Sequence, residues 1–446
     1  MKMKNITLAL AGVMAAAAFA PEASALPLFA RQTGMACSAC HFQHFPLLNS
    51  FGRSFKASGY TLMGAQEKVE GDNLSIPSTL NMAVLTTAGY TKTNATSVAN
   101  THGQNSDANG TVYVPGTNGE FSLFIGGKVS DFAGALAEVG LLGNTGSVGG
   151  NTVGVTSAKL PMLWAVGDAH VGIVPFTTAG QGASYGYEVL NTGANAIHTM
   201  MFVGGDFAGF VPGVLSAQQY IGTATAATGA AIVANNSMGF INVSKFHMAG
   251  PADLAGTGGN AGGSVTGAKL SSTYIRVAGT FDLAGFDSAV GIQNWSGASM
   301  NGAAVTGGMA TQSVYDTKAT AIDGQMQGEL GGMPVGFYAS YATAPASTTG
   351  LGNAYNLGGT NNKKSFNIGA ELGVLPEKAT VGAALRNGNN GAATNSNDNA
   401  YLLNATYKLA QNMMLNLTYV ANSGSAWNAS SATGSKETII NLATIF

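Results

Sequence analysis

The sequence predicts a mainly β protein, an outer-membrane antiparallel barrel of about 16 strands, behind a short N-terminal segment of different character. Three observations predict it. Segments of about ten residues alternate apolar with small or polar side chains and are separated by turn clusters. Charged residues make up only 9% of the chain and glycine supplies 63 of 446 residues, so these strands lack the charged face of a soluble sheet. The alternation also runs to the last residue, through Thr438, Ile440, Leu442, Thr444 and Phe446. A terminal strand ending on an aromatic is the pattern by which bacterial outer-membrane barrels are recognised for insertion.

Composition removes several other classes. At 46% hydrophobic residues the chain is not a disordered one. With 19 basic and 21 acidic residues there is no electrostatic footprint for nucleic acid. Residues 1–25 read as a secretory signal peptide: Lys2 and Lys4 begin it, Ile6 to Ala20 form its apolar core, and Ala23-Ser24-Ala25 offers the cleavage site. A membrane-anchoring helix is the alternative, but the run falls short of the ~20 residues that a span needs.

Residues 26–75 carry the chemistry. Cys37-Ser38-Ala39-Cys40-His41 is a Cys-x-x-Cys-His run, the attachment site of one covalent haem c, with His41 as proximal iron ligand. Cys37 and Cys40 are the only cysteines, so a zinc site lacks its second pair. A thioredoxin-like redox pair would sit beside a βαβ pattern, which the sequence lacks. Phe42, Phe45, Phe51, Phe55 and Tyr60 supply an apolar shell, and Arg31, Arg53 and Lys56 are the candidate partners for the haem propionates. Met63 is the candidate distal ligand, because it lies downstream within the aromatic segment. His44 is too near His41 to reach the opposite haem face and reads as a packing or propionate-side residue. His170, His198, His247 and an open sixth position are the remaining alternatives. About 50 residues would not bury a haem alone, so the segment must lean on the strands of the longer C-terminal part.

From 76 to 446 the strand pattern dominates. Phe366, Ile368, Ala370, Leu372 and Val374 share one face, while Asn367, Gly369, Glu371 and Gly373 share the other. Val335 to Tyr341, Thr380 to Leu385, Tyr401 to Leu409 and Leu415 to Tyr419 repeat the pattern. Turns are predicted at Leu375-Pro376-Glu377-Lys378 and Ala410-Gln411-Asn412, and at Asn118-Gly119, Asp323-Gly324 and Asn387-Gly388. Polar stretches at Lys92 to Asn109, Gly256 to Gly267, Gly350 to Lys363 and Gly388 to Asn399 fit extracellular loops. Asp168 and His170 read as lumen-lining residues, because Ala169, Val171 and Ile173 suit lipid. At roughly 23 residues per strand and connection, this length gives about 16 strands, enough for a lumen that holds a channel or a plug.

The stretch from Ala25 to His41, continued by Pro46, Leu48, Asn49, Phe51-Gly52-Arg53, Phe55-Lys56 and Gly59-Tyr60, resembles the signature of the fused monohaem cytochrome-porins. These are outer-membrane iron oxidases. The resemblance covers about 36 residues; over the barrel it rests on length, strand pattern and order of parts. It implies a small haem domain plugging or capping a 16-stranded barrel. It also implies Fe(II) oxidation at the cell surface, with electrons passed to a periplasmic c-type cytochrome. Cys37, Cys40 and His41 carry the family's functional positions. Electron export to an external acceptor, and a non-enzymatic porin with a haem plug, are the competing functions.

Overall fold

The computed structural model describes residues 27–64, 66–94, 110–116, 119–141, 153–194, 214, 216–251, 269–306, 309–348, 351–428 and 434–446, with side chains left undescribed at 300–313. The predicted signal peptide, Asn118 of the predicted Asn118-Gly119 turn, His198, the whole stretch 256–267 and all of 92–109 beyond residue 94 lie outside these residues. The described strands close into one antiparallel ring. It begins with β1 (Met82–Thr93), β2 (Thr111–Tyr113 continued by Phe121–Ser130), β3 (Ala133–Gly140) and β4 (Gly154–Lys159 continued by Met162–Val166). Next come β5 (Ala169–Thr178), β6 (Ala227–Asn236), β7 (Gly239–His247) and β8 (Ser272–Leu283). They are followed by β9 (Phe286–Thr306), β10 (Met309–Asp316 continued by Ala319–Leu330), β11 (Met333–Ala344) and β12 (Lys363–Leu375). The ring ends with β13 (Ala379–Asn389), β14 (Asn399–Ala410), β15 (Met413–Ser423) and β16 (Lys436–Ile445). Each interrupted strand pairs with common neighbours along both its pieces, so the ring has 16 strands.

Closure is made where the sequence ends. β16 pairs with β1 from Glu437 opposite Thr93 to Ile445 opposite Leu85, and Phe446 exchanges backbone hydrogen bonds of 2.7 and 3.0 Å with Val84. A closed ring leaves no unpaired edge, which is what a strand needs in lipid.

Period-two alternation sorts the two faces. Along β12, Ser365, Asn367 and Glu371 are buried inside while Phe366 and Ile368 are exposed outside. Val290, Ile292, Ile322, Leu385, Leu403 and Leu417 continue the outward apolar band around the ring. This much exposed apolar surface has lipid as its solvent. Two of the predicted turns are not turns. Asp323-Gly324 and Asn387-Gly388 lie within β10 and β13. Asp323 is a buried lumen charge, so its polarity marks the inner face rather than a chain reversal. The turns at 376–378 and 411–412 do fall between strands.

Connections differ sharply at the two rims. One rim carries short turns, such as 131–132, 167–168, 237–238, 284–285 and 331–332; the other carries the long connections. In barrels of this kind short turns face the periplasm and long loops the exterior.

The lumen is occupied. The N-terminal segment forms α1 (Pro27–Thr33), a tight helical turn at Cys37–Ala39 and α2 (Ser50–Ala57), followed by a small hairpin of Lys68–Gly71 and Leu74–Pro77. The predicted boundary at residue 75 falls inside that hairpin, and the ring itself starts at Met82. Helices this short do not persist alone, so packing holds them. Leu28 packs with Ala83, Leu85, Phe124 and Ile445, and Leu47 packs with Tyr338, Leu402 and Val420. A second insert comes from the connection between β5 and β6, which carries Tyr185, Tyr187, Val189 and Leu190 into the interior as buried residues. The two inserts hold each other. The Leu48 N–H donates to Asn191 Oδ1 at 2.8 Å, Asn191 Nδ2 donates to the Leu48 carbonyl at 2.9 Å, and the Tyr187 hydroxyl donates to the Ala57 carbonyl at 3.3 Å.

Candidate functional site

The candidate site is one turn of helix and the loop that folds back on it. The N–H groups of Cys40 and His41 both donate to the Cys37 carbonyl, at 3.0 and 2.8 Å. The turn places Cys37 and His41 on one cleft, while Cys40, half-buried, does not line it. The chain then doubles back: His41 bridges Leu48, and the Phe42 N–H donates to the Leu47 carbonyl at 2.9 Å. The reversal needs a left-handed residue, Gln43 at φ 64°, with the His44 N–H donating to the Phe42 carbonyl across it. That conformation is costly for a residue with a side chain.

Asn49 ties the turn to α2. Its side-chain oxygen caps the helix by accepting from the Gly52 N–H at 2.9 Å, and its Nδ2 donates to the Ser38 and Ala39 carbonyls at 3.2 and 3.1 Å. Gly52 allows the contact to close, because a β-carbon there would sit 2.0 Å from the Cys40 carbonyl oxygen.

Cys37, His41, Phe42, Gln43 and Phe45 line a cleft of about 290 Å³ that the barrel wall completes with Glu329, Pro334, Glu377 and Lys408. Glu329 and Glu377 flank short turns, so the cleft lies at the short-turn rim. His41 Nδ1 lies 3.0 Å from the Leu47 carbonyl, the partner that fixes a ligating histidine's tautomer and directs Nε2 to the metal. Burial pushes the His41 imidazole down to about 4, against the opposing hydrogen bond to Leu47, so the ring is neutral at physiological pH. Burial pushes the Cys37 thiol up to about 12 and raises Cys40 as well. Neither thiol has the depressed pKa of a redox-active cysteine pair. Among the described residues no group of three or more His, Cys, Asp or Glu side chains could hold a metal ion. Thiols and one imidazole on a single turn would suit a group that brings its own in-plane ligands, as a porphyrin does. The two cysteines and His41 would hold it.

Other sequence-predicted residues are placed elsewhere. Arg53 is buried and paired with Asp287, and also donates to Gln327 at 3.0 Å. Arg31 donates to the Met82 carbonyl. Both guanidinium groups fasten the segment to the wall and do not line the cleft. Lys56 faces Glu188 of the second insert; burial lowers it to about 7, with Glu188 opposing. Met63 lines a separate cleft, with the small hairpin and residues 128–131, which shares no residue with that of His41. The structure does not bring Met63 together with His41. Asp168 is exposed in a short turn rather than in the lumen, and His170 stands on the inner side of β5 near that turn. His247 is buried at the far rim beside Ser299. His44, expected as a packing or propionate-side residue, lines the same cleft as His41. It is buried, with Nε2 2.7 Å from Glu371 of β12.

Sequence reasoning missed Lys408, Gln43 and Glu371 as companions of the site. A signal existed for two of them, since Lys408 and Glu371 are charges on the inner side of alternating strands. Nothing local marked Gln43.

No protein-family model matches the chain, and no curated protein matches it. Solved structures do. OmpT of Vibrio cholerae is similar over 85% of this chain and 100% of its own, at 10% identity and a TM-score of 0.46. The outer-membrane channel DcaP of Acinetobacter baumannii is similar over 82% and 97%, at 11% identity and 0.44. OmpF of Salmonella typhi is similar over 85% and 100%, at 13% identity and 0.45.

Proposed function

We propose that this chain is an outer-membrane electron-transfer protein, carrying one covalent c-type haem on the segment that fills its barrel. The observation that carries this reading is the Cys37–His41 turn, in which Cys37 and His41 line one cleft and the His41 Nδ1 faces the Leu47 carbonyl. A bound c-type haem supplies one reversible Fe(III)/Fe(II) step. Cys37 and Cys40 would anchor it, His41 would provide the iron ligand, and Phe42 and Phe45 would restrict water around it. The resemblance to the cytochrome-porins supports ferrous iron as electron donor and a soluble periplasmic c-type cytochrome as acceptor. The cleft's position at the short-turn rim suits the acceptor directly; iron would have to approach through the lumen from the long-loop side.

A second reading is a porin whose N-terminal segment is a plug without electron-transfer function. The closed 16-stranded ring favours it, since such a ring is wide enough for a channel and requires no haem. One experiment separates the two. The purified protein is tested for covalent haem by denaturing-gel haem stain and absorption spectrum, then mixed rapidly with Fe(II). Reduction of a covalent haem supports iron oxidation, and a haem reduced only by other donors supports export or a different donor. A haem-free chain whose ion conductance is unchanged by Cys37→Ser and Cys40→Ser supports the plug.

A further inference from the structure

We propose that Gln43 and Lys408 form the anion-holding side of the cleft and together bind a carboxylate of the haem. The inference rests on the electron-transfer reading and assigns a role to two residues which that reading leaves without one.

Gln43 is the starting point. Both its amide atoms, Nε2 and Oε1, are buried and have no hydrogen-bond partner. A buried amide without a partner costs about 1–3 kcal/mol, so proteins seldom leave one without a purpose. Its backbone is also in the left-handed region, a second cost at the same residue. The wall makes room for the amide, because Gly373 has no side chain and a β-carbon there would lie 2.7 Å from Gln43 Oε1. Gln43 lines the cleft that Cys37 and His41 share. An amide with both donors unused, in that cleft, suits an incoming oxygen acceptor.

Lys408 supplies the charge. It enters the cleft from β14 and is close enough to act electrostatically on Cys37, His41 and His44. The cations of the segment itself are committed elsewhere: Arg53 to Asp287, Arg31 to Met82 and Lys56 towards Glu188. Of the other charged groups lining the cleft, His44 is held against Glu371 of β12, and the carboxylates of Glu329 and Glu377 are both exposed at the mouth. Water screens them, while the Gln43 amide sits inside. A haem carboxylate is therefore drawn to the Gln43 and Lys408 side and away from the mouth.

The test uses the full-length barrel in detergent with haem content per chain measured first. Lys408→Gln and Gln43→Ala are each expected to lower the midpoint potential at fixed pH with an unchanged absorption spectrum. A carboxylate less neutralised by the protein favours ferric iron. Lys408→Arg is expected to restore the wild-type potential. Lys378→Gln, which removes the same charge at the same rim outside the cleft, is expected to leave it unmoved. Gln43→Leu serves as a second variant if Gln43→Ala loses its fold. Unchanged potentials in the haem-loaded Lys408 and Gln43 variants overturn the proposal. A changed spin-state band in the Gln43 variants overturns it too, since Gln43 would then face the iron. An equal shift in Lys378→Gln reduces it to bulk charge. A wild-type chain without haem overturns the electron-transfer reading itself, an outcome distinct from these.

Discussion

A β-carbon at position 52 would stand 2.0 Å from the Cys40 carbonyl oxygen, and that oxygen belongs to backbone that cannot swing aside. Gly52→Ala must therefore push α2 away from the Cys37–His41 turn. Overpacking of this kind costs about 1–3 kcal/mol. The variant is expected to melt lower and carry less covalent haem per chain, whereas Ser54→Ala, on the exposed side of the same helix, should match wild type within about 0.5 kcal/mol. Equal haem content in both variants would refute the close approach. His44 gives a pH-dependent counterpart. Burial alone would lower its pKa, but the charge and hydrogen bond of Glu371 outweigh burial and leave it above the ordinary histidine value of 6.5. A raised histidine binds its proton more tightly folded than unfolded. The stabilisation is fully present below the unfolded value and is lost as pH rises through the folded one. Thermal stability should thus fall from mildly acid to alkaline pH, and His44→Gln should flatten that slope. A variant retaining the wild-type slope would assign the effect to another group.

The two lumen inserts depend on contacts distant in sequence. Glu188 reaches Arg276 at 3.1 Å, Arg276 reaches Asp323 at 2.5 Å, and the Thr192 hydroxyl donates to Asp323 at 2.7 Å, all fully or nearly fully buried. Removing one member strands the others in a dry site, so Arg276→Met is expected to destabilise by about 3–5 kcal/mol. Asn191→Ala breaks both bonds to Leu48 and should cost about 1–3 kcal/mol. Denaturant midpoints read both, and proteolysis of residues 27–64 should quicken in Asn191→Ala. An Arg276→Met midpoint within error of wild type would show that the cluster contributes no net stability. These inserts also show where the sequence stops being legible. Strands are readable because each records its two environments in alternate residues, as β12 does from Phe366 to Val374. Asp323-Gly324 misleads because a lumen charge beside a glycine has the composition of a turn. The insert after β5 is unreadable because its partners, Arg276 and Asp323, lie about a hundred residues away and impose no local period. The Cys37–His41 motif is legible as a motif because its residue types fall within five consecutive positions. Its wall partners Lys408 and Glu371 come from the other end of the chain.

At the scale of the molecule, the cleft and the lumen together give the barrel a direction. The cleft opens beside short turns, where Glu329 and Glu377 flank it. Deeper in, Asn242, Ser244 and Arg276 face inward and are fully buried, so the inserts fill the described interior beside β7 and β8. Hydrocarbon ~30 Å thick surrounds that interior, far more than an electron crosses readily without a bound cofactor. A bulky membrane-impermeant reductant should therefore exchange electrons with the site quickly from the short-turn side and much more slowly from the other. Proteoliposomes of known barrel orientation, with the reductant added outside and haem absorbance followed in time, measure this directly. Asn191→Ala, by loosening one insert from the other, should narrow the difference by admitting solutes from the long-loop rim. Equal rates from both faces in the wild-type protein would mean that the inserts leave the lumen open, and would return the barrel to the role of a solute channel.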